Sequence, residues 1–181
     1  MAYPISKWIY FPVFGLLIKK IKGMDNIPDK NSFIIVSNHE HLIDPLYIIY
    51  PILKRLNKKV HFLSTGSWWF FGDTICRQWA GCIPLFESNA YEEMKNYVKE
   101  GRILGLFPEG RLKAGARQPK TGAVRLAIET DTPILPIGIK SSYILFNSTI
   151  NIGKLKYMKK GKDIKKQTLD LMDYVYRLRI K

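Results

Sequence analysis

Six short apolar runs constrain the fold of this chain more than any other feature of its sequence. FIIVS (33–37), VHFLS (60–64), CIPLF (82–86), ILGLF (103–107), ILPIGI (134–139) and STINI (148–152) are each five or six residues long. A run of that length fits a strand better than a helix. Where nearly every position is apolar, rather than every second one, the strand is buried on both faces. Such strands belong to a sheet covered by helices on both sides. Helical periodicity fills the intervals at 45–55, 89–100 and 119–130, and a last, basic helix is expected over 163–179. The alternation predicts an α/β fold: a single domain with a largely parallel sheet flanked by helices. With 181 residues, 46% of them hydrophobic, the chain can supply one substantial core. Cys76 and Cys82 are too few to staple such a domain and read as small buried apolar residues in a reducing compartment.

The N-terminus differs in character. WIYFPVFGLLI (8–18) is uncharged and is followed by Lys19, Lys20 and Lys22. It is shorter than the roughly 20 apolar residues a spanning helix needs, and Pro12 and Gly15 break its regularity. IKKIKG is not a small-residue cleavage site of the kind that ends a secretory signal. Residues 1–22 therefore read as an amphipathic segment lying in a membrane interface, with Trp8 and Tyr10 at headgroup depth. A helix packed on the core is the alternative. Residues 23–181 form the domain proper.

The charge balance agrees with an anionic partner. The chain carries 29 Lys+Arg against 15 Asp+Glu, a formal +14. Residues 140–181 alone hold nine lysines and two arginines against three aspartates. An anionic membrane surface, an acidic carrier protein and nucleic acid would all be attracted. No nucleic-acid-binding motif is present, and the basic stretch carries few interleaved aromatics, so no nucleic-acid partner is expected.

In parallel sheets, ligands sit beyond the carboxyl ends of the strands, and two groups of chemically capable residues fall there. The first is Asn38-His39-Glu40-His41-Leu42-Ile43-Asp44. Five residues along a regular helix separate two side chains by about 140°, so a continuous helix would not pair His39 with Asp44. Asp44-Pro45 instead marks a helix start, which leaves 38–43 as a loop able to fold His39 back onto Asp44. A carboxylate on one imidazole nitrogen leaves the other free to take a proton from a hydroxyl. A capping aspartate beside an ordinary loop histidine would explain the same spacing. Glu40 and His41 lack a further ligand cluster, so no metal is expected.

The second group is Phe107-Pro108-Glu109-Gly110-Arg111, with Lys113, Arg117 and Lys120 behind it. Gly110 permits a tight turn. Arg111 offers a fork suited to phosphate, Lys113 and Lys120 add point charges, and the start of the helix near Lys120 adds backbone donors. A polar loop with surface cations is the plainer alternative.

Taken together, Asn38-His39-x4-Asp44, Gly81-Cys82-Ile83-Pro84-Leu85, Phe107-Pro108-Glu109-Gly110-Arg111 and Ile134-Leu135-Pro136-Ile137 resemble four ordered blocks of the glycerolipid acyltransferase family, that of 1-acylglycerol-3-phosphate acyltransferase. Lys120-Thr121-Gly122-Ala123 resembles the lysine-glycine step after the third block. The resemblance covers residues 20–155. It implies that His39 and Asp44 are catalytic, His39 deprotonating the acceptor hydroxyl and Asp44 orienting it. Glu109, Gly110, Arg111 and Lys120 would then bind the phosphorylated acceptor. The implied reaction moves an acyl group from acyl-CoA or an acyl carrier protein to a lysophospholipid, foremost 1-acylglycerol-3-phosphate, in phospholipid biosynthesis. It implies no metal or other cofactor, and a peripheral or monotopic place on the cytoplasmic face of a membrane.

Three departures bear on the acceptor. Glu87 stands where the family usually has arginine, Arg111 sits one place early, and Thr65 replaces a usual lysine. Region 66–80 holds Trp68, Trp69 and Trp79, which suit either an acyl-chain groove or the core. The other readings are a non-catalytic lipid-binding member of the fold, or an acyltransferase for glycerol-3-phosphate, another lysophospholipid or an amino-acid lipid.

Overall fold

The computed structural model describes residues 6–29, 32–65, 72–110 and 118–180, with Ser6, Lys7 and Trp79 placed by backbone alone. Helix α1 (Ser6–Leu17) leads directly into strand β1 (Ile18–Lys22). After a short 3₁₀ turn come β2 (Ile34–Ser37), α2 (Asp44–Leu56) and β3 (Val60–Ser64). A π-helical turn over Thr74–Ala80 precedes β4 (Cys82–Pro84), which is followed by α3 (Ala90–Lys99) and β5 (Ile103–Leu106). The chain closes with α4 (Gly122–Thr130), β6 (Ile134–Lys140), β7 (Ser148–Ile152) and α5 (Ile164–Ile180).

The seven strands form one sheet in the order β1-β7-β6-β2-β5-β3-β4. From β6 through β4 every pairing is parallel, and β7 runs antiparallel to β6. The sheet is covered on both sides, as the continuous apolar runs require. Phe33 and Ile35 face the layer of α1 and α2, where they meet Tyr47, Ile48 and Ile52. Ile34 and Val36 face the layer of α3, α4 and α5, where they meet Met94, Val124, Leu126 and Val175.

All six expected strands are present, β4 being cut to three residues because the chain turns after Pro84. Two features depart from simple alternation. The seven residues between β6 and β7 are too few for a crossover, so these strands pair antiparallel. β1 was not expected, since IKKIK has no apolar run; it is an edge strand, where exposed Lys19 and Lys20 discourage further pairing. The described part of segment 1–22, residues 6–22, is thus a helix followed by a sheet strand. Among the described residues no helix is long and apolar enough to cross a membrane. Cys76 and Cys82 are not joined in a disulfide.

Candidate active site

β2 is the central parallel strand, and its carboxyl end carries the first group of residues. Asn38, 1% exposed, continues the strand by side chain. Its Nδ2 donates to the Ile139 carbonyl at 2.8 Å, and its Oδ1 accepts the Ile139 amide at 2.9 Å. This two-point contact with β6 fixes where the following loop departs.

The loop then folds back as its spacing predicted. His39 Nδ1 lies 3.0 Å from Asp44 Oδ2, the carboxylate being wholly buried and the imidazole 16% exposed. Asp44 opens α2 but does not cap it by side chain. The same Oδ2 instead accepts the amides of Glu40 at 2.5 Å and His41 at 2.9 Å, so one carboxylate organises the whole loop. Burial pushes the Asp44 carboxyl up. The hydrogen bonds from His39 and Ser141 and from the His41 and Glu40 amides outweigh it and hold the group below the usual carboxylate range. A carboxylate that stays ionised keeps the proton on His39 Nδ1 and leaves Nε2 as the accepting nitrogen. The ring stacks on Phe107, with centroids 4.1 Å apart and planes at 15°.

β5 lies beside β2 and brings the second group to the same edge. Glu109 Oε2 accepts the His39 backbone amide at 3.3 Å, and its Oε1 accepts the Tyr176 hydroxyl at 2.8 Å. Glu109 thus ties together the β2 loop, the β5 loop and α5, a positioning role beyond the substrate contact expected of it. Gly110 has φ +68°, and a Cβ there would stand 2.8 Å from Lys120 Cε and 3.1 Å from its Nζ. The turn and the lysine therefore adjoin. The Gly110 amide donates to the Phe107 carbonyl at 3.0 Å; it is committed to the turn and is not an open donor for an oxyanion. Arg111, Lys113 and Arg117 lie outside the described residues, as do Trp68 and Trp69 and the side chain of Trp79.

Glu40 and His41, which could have been read as metal ligands, have other partners. Glu40 pairs with Arg179 of α5, and His41 Nδ1 lies 2.8 Å from Ser141 Oγ.

Residues 19–140 match the family model described as Acyltransferase. The chain belongs to the acyltransferase family. Among its relatives is the 1-acyl-sn-glycerol-3-phosphate acyltransferase of Borreliella burgdorferi, 29% identical over 147 residues, which are 73% of this chain and 57% of that protein. A probable 1-acyl-sn-glycerol-3-phosphate acyltransferase of Mycoplasma genitalium is 26% identical over 150 residues, 76% of this chain and 53% of that protein. The chain thus spans little more than half the length of these curated relatives. In fold it resembles the crystal structure of the 1-acyl-sn-glycerophosphate (LPA) acyltransferase, PlsC, from Thermotoga maritima. That likeness has a TM-score of 0.70 at 21% identity and covers 97% of this chain and 75% of the other.

The departure from the acyltransferase family at Glu87 has a local partner. Arg77, on the π-helical turn, donates to Glu87 Oε1 at 2.9 Å, to Glu93 Oε1 at 2.6 Å and to Asp73 Oδ1 at 3.2 Å. Both ends of the cluster are thereby tied to the start of α3. Sequence reasoning placed Phe107 in the second group without giving it a role, and did not find Ser141, Tyr176 and Arg179 as neighbours of the site. Only the position of Phe107 directly after a strand hinted at its role.

Proposed function

We propose that this protein transfers a fatty acyl group from a thioester donor, acyl-CoA or acyl carrier protein, to the free hydroxyl of a lysophospholipid. Its first-choice acceptor is 1-acylglycerol-3-phosphate, the substrate in the names of its relatives. The observation that carries this reading is the His39–Asp44 pair at 3.0 Å, held at the strand edge beside Gly110 and Lys120.

In the reaction so read, His39 Nε2 takes the proton of the acceptor hydroxyl as its oxygen attacks the thioester carbonyl carbon. The tetrahedral intermediate collapses with cleavage of the C–S bond, and the leaving thiolate takes the proton back from His39. Asp44 stabilises the imidazolium that exists between these events. Lys120, with Arg111 shortly before it in the sequence, supplies positive charge for the acceptor phosphate. The chemistry calls on no metal or other cofactor. In this reading the apolar segment 1–22, flanked by lysines, lies in the membrane interface and keeps the enzyme at the cytoplasmic face.

The test is transfer from labelled acyl-CoA, and separately from acyl carrier protein, to a panel of acceptors. The panel holds lysophosphatidate, glycerol-3-phosphate, other lysophospholipids and an amino-acid lipid, with His39→Ala as control. Product with lysophosphatidate that vanishes in the variant supports the reading. Product only with another acceptor keeps the chemistry and replaces the substrate, with Glu87 the first residue to examine. Vesicle binding without transfer to any acceptor would leave the non-catalytic, lipid-binding reading.

A further inference from the structure

β7 runs against β6, and β1 runs with β7. The end of α1 and the β6–β7 loop therefore meet at the carboxyl edge of the parallel strands, the edge that carries His39 and Glu109. The Phe146 amide donates to the Leu16 carbonyl at 2.8 Å, joining loop to helix.

What these two elements present outward is apolar. On α1, Trp8, Ile9, Pro12, Val13 and Leu16 are exposed and fall within one arc of the helix. The opposite arc, with Tyr10, Phe11, Phe14 and Leu17, packs on the core. A helix apolar on both sides has a second apolar neighbour to find. On the loop, Tyr143, Ile144, Leu145 and Phe146 are 62%, 67%, 58% and 58% exposed. Single exposed apolar residues are ordinary; four in succession beside an apolar helix face are not. The loop is also firmly built. Tyr47 Oη donates to the Ser142 carbonyl at 2.6 Å, and Ser148 Oγ accepts the Ser142 amide at 2.9 Å. Phe146 adopts φ +52°, a left-handed conformation unfavourable for a phenylalanine.

Charge selects the occupant. Neither 6–24 nor 132–162, the stretches that hold α1 and the β6–β7 loop, contains an Asp or Glu. Lys20 and Lys140 flank Thr149 on one rung of the sheet at the base of the loop, and both are exposed, as is Lys19. Two copies of this chain meeting face to face would bring lysine against lysine. An anionic bilayer offers phosphates to the lysines and hydrocarbon to the apolar ridge.

We propose that the β6–β7 loop is a second membrane-contacting element. Together with the outer face of α1, it docks the protein on an anionic bilayer with the His39 edge turned toward lipid held there. Tyr143 links dock to site: its ring meets His41 edge-on, with centroids 5.1 Å apart, two residues from His39. The catalytic half of this inference rests on the acyltransferase reading above; the docking half does not.

The experiment is co-sedimentation of the full chain with mixed phosphatidylglycerol and phosphatidylcholine vesicles. It compares wild type, the double variant Ile144→Ser/Leu145→Ser, and Leu169→Ser, an exposed apolar residue on α5, as control. The double variant is expected to lose about tenfold or more in partition, since two side chains no longer enter hydrocarbon. Leu169→Ser is expected to bind as wild type, and circular dichroism checks that all three fold. Equal partition of wild type and double variant would overturn the proposal. So would a wild-type dimer that the double variant converts to monomer without change in vesicle binding, because a second copy would then be the occupant. Transfer to acceptor carried in the vesicles should fall in step with partition. If the wild type transfers to nothing while the double variant still loses vesicle binding, the dock stands and the acyltransferase reading fails.

Discussion

In the proposed reaction, Asp44 serves as both scaffold and chemistry. Its Oδ2 receives two loop amides and the His39 ring together, so the charge that orders the loop is also the charge that orients the imidazole. Asp44→Asn keeps the volume but can meet only part of this demand. An amide oxygen in the place of Oδ2 can still accept from the two loop amides and the ring, but the group is neutral and no longer stabilises the imidazolium formed when His39 takes the acceptor proton. Acyl transfer by Asp44→Asn is therefore expected to fall by about 10²–10⁴ in kcat, with the acceptor KM nearly unchanged. A KM rise at constant kcat would place Asp44 in acceptor binding instead. His61, 8% exposed at the opposite end of the sheet, makes a separate prediction about stability. Burial, with the Arg102 and Lys59 charges adding to it, pushes this imidazole down to about 4 from 6.5. Between those values the unfolded chain binds a proton that the folded chain refuses, so stability falls as pH drops from 6.5 toward 4. His61→Phe should flatten this acid limb by an amount on the order of 3 kcal/mol, read from urea denaturation at neutral pH and near pH 4.5. An unchanged limb would mean that other groups set it. His39 and Asp44 were legible in the sequence because a loop of fixed length joins them. Tyr176 was not: it reaches Glu109 across 67 residues of chain, and a tyrosine in an amphipathic helix reads as packing.

The element that most exceeds its sequence signature is α5. Its string of cations suggested a helix meant for an anionic surface, yet its inner face buries Leu171, Met172, Val175 and Leu178. Through Tyr176 and Arg179 it also holds the loops of the site. What seats the helix is a pair of glycines, Gly138 and Gly153, that no helical pattern would mark. A Cβ on Gly138 of β6 would stand 2.3 Å from the Arg179 amide nitrogen and 2.6 Å from the Leu178 carbonyl carbon. These neighbours are backbone and cannot swing aside. Gly138→Ala is expected to cost about 1–3 kcal/mol of stability. It should also reduce transfer at temperatures where the variant remains folded, because Tyr176 and Arg179 move with the helix. Thermal unfolding with activity assayed well below the transition separates the two effects. Full activity in a destabilised variant would show that α5 only supports the sheet. The buried strands β2, β3, β5 and β6 were legible because covered strands must be apolar throughout. β1 was hidden by the same logic, since an edge strand can take three lysines in five residues.

At the scale of the whole molecule, a formal charge of +14 and an apolar ridge act on the same proposed partner by forces that salt separates. Attraction of exposed lysines to a negative leaflet is screened over about 10 Å at 0.1 M salt and less at higher salt. Burial of Ile144, Leu145 and the α1 face in hydrocarbon is not screened, and salts excluded from apolar surface strengthen it. Vesicle partition should therefore fall steeply as sodium chloride is first raised and then level off above zero. Neutral phosphatidylcholine vesicles should give that same residual level at every salt concentration, because they offer the apolar contact without the charge. Partition that decays to nothing at high salt, and is absent on neutral vesicles, would assign docking to the lysines alone and leave the exposed ridge without a role at the membrane. A residual level that survives in wild type but disappears in Ile144→Ser/Leu145→Ser would show more. The β6–β7 loop, rather than the basic C-terminal stretch, would then be what keeps the His39 edge against the bilayer once electrostatic attraction has been removed.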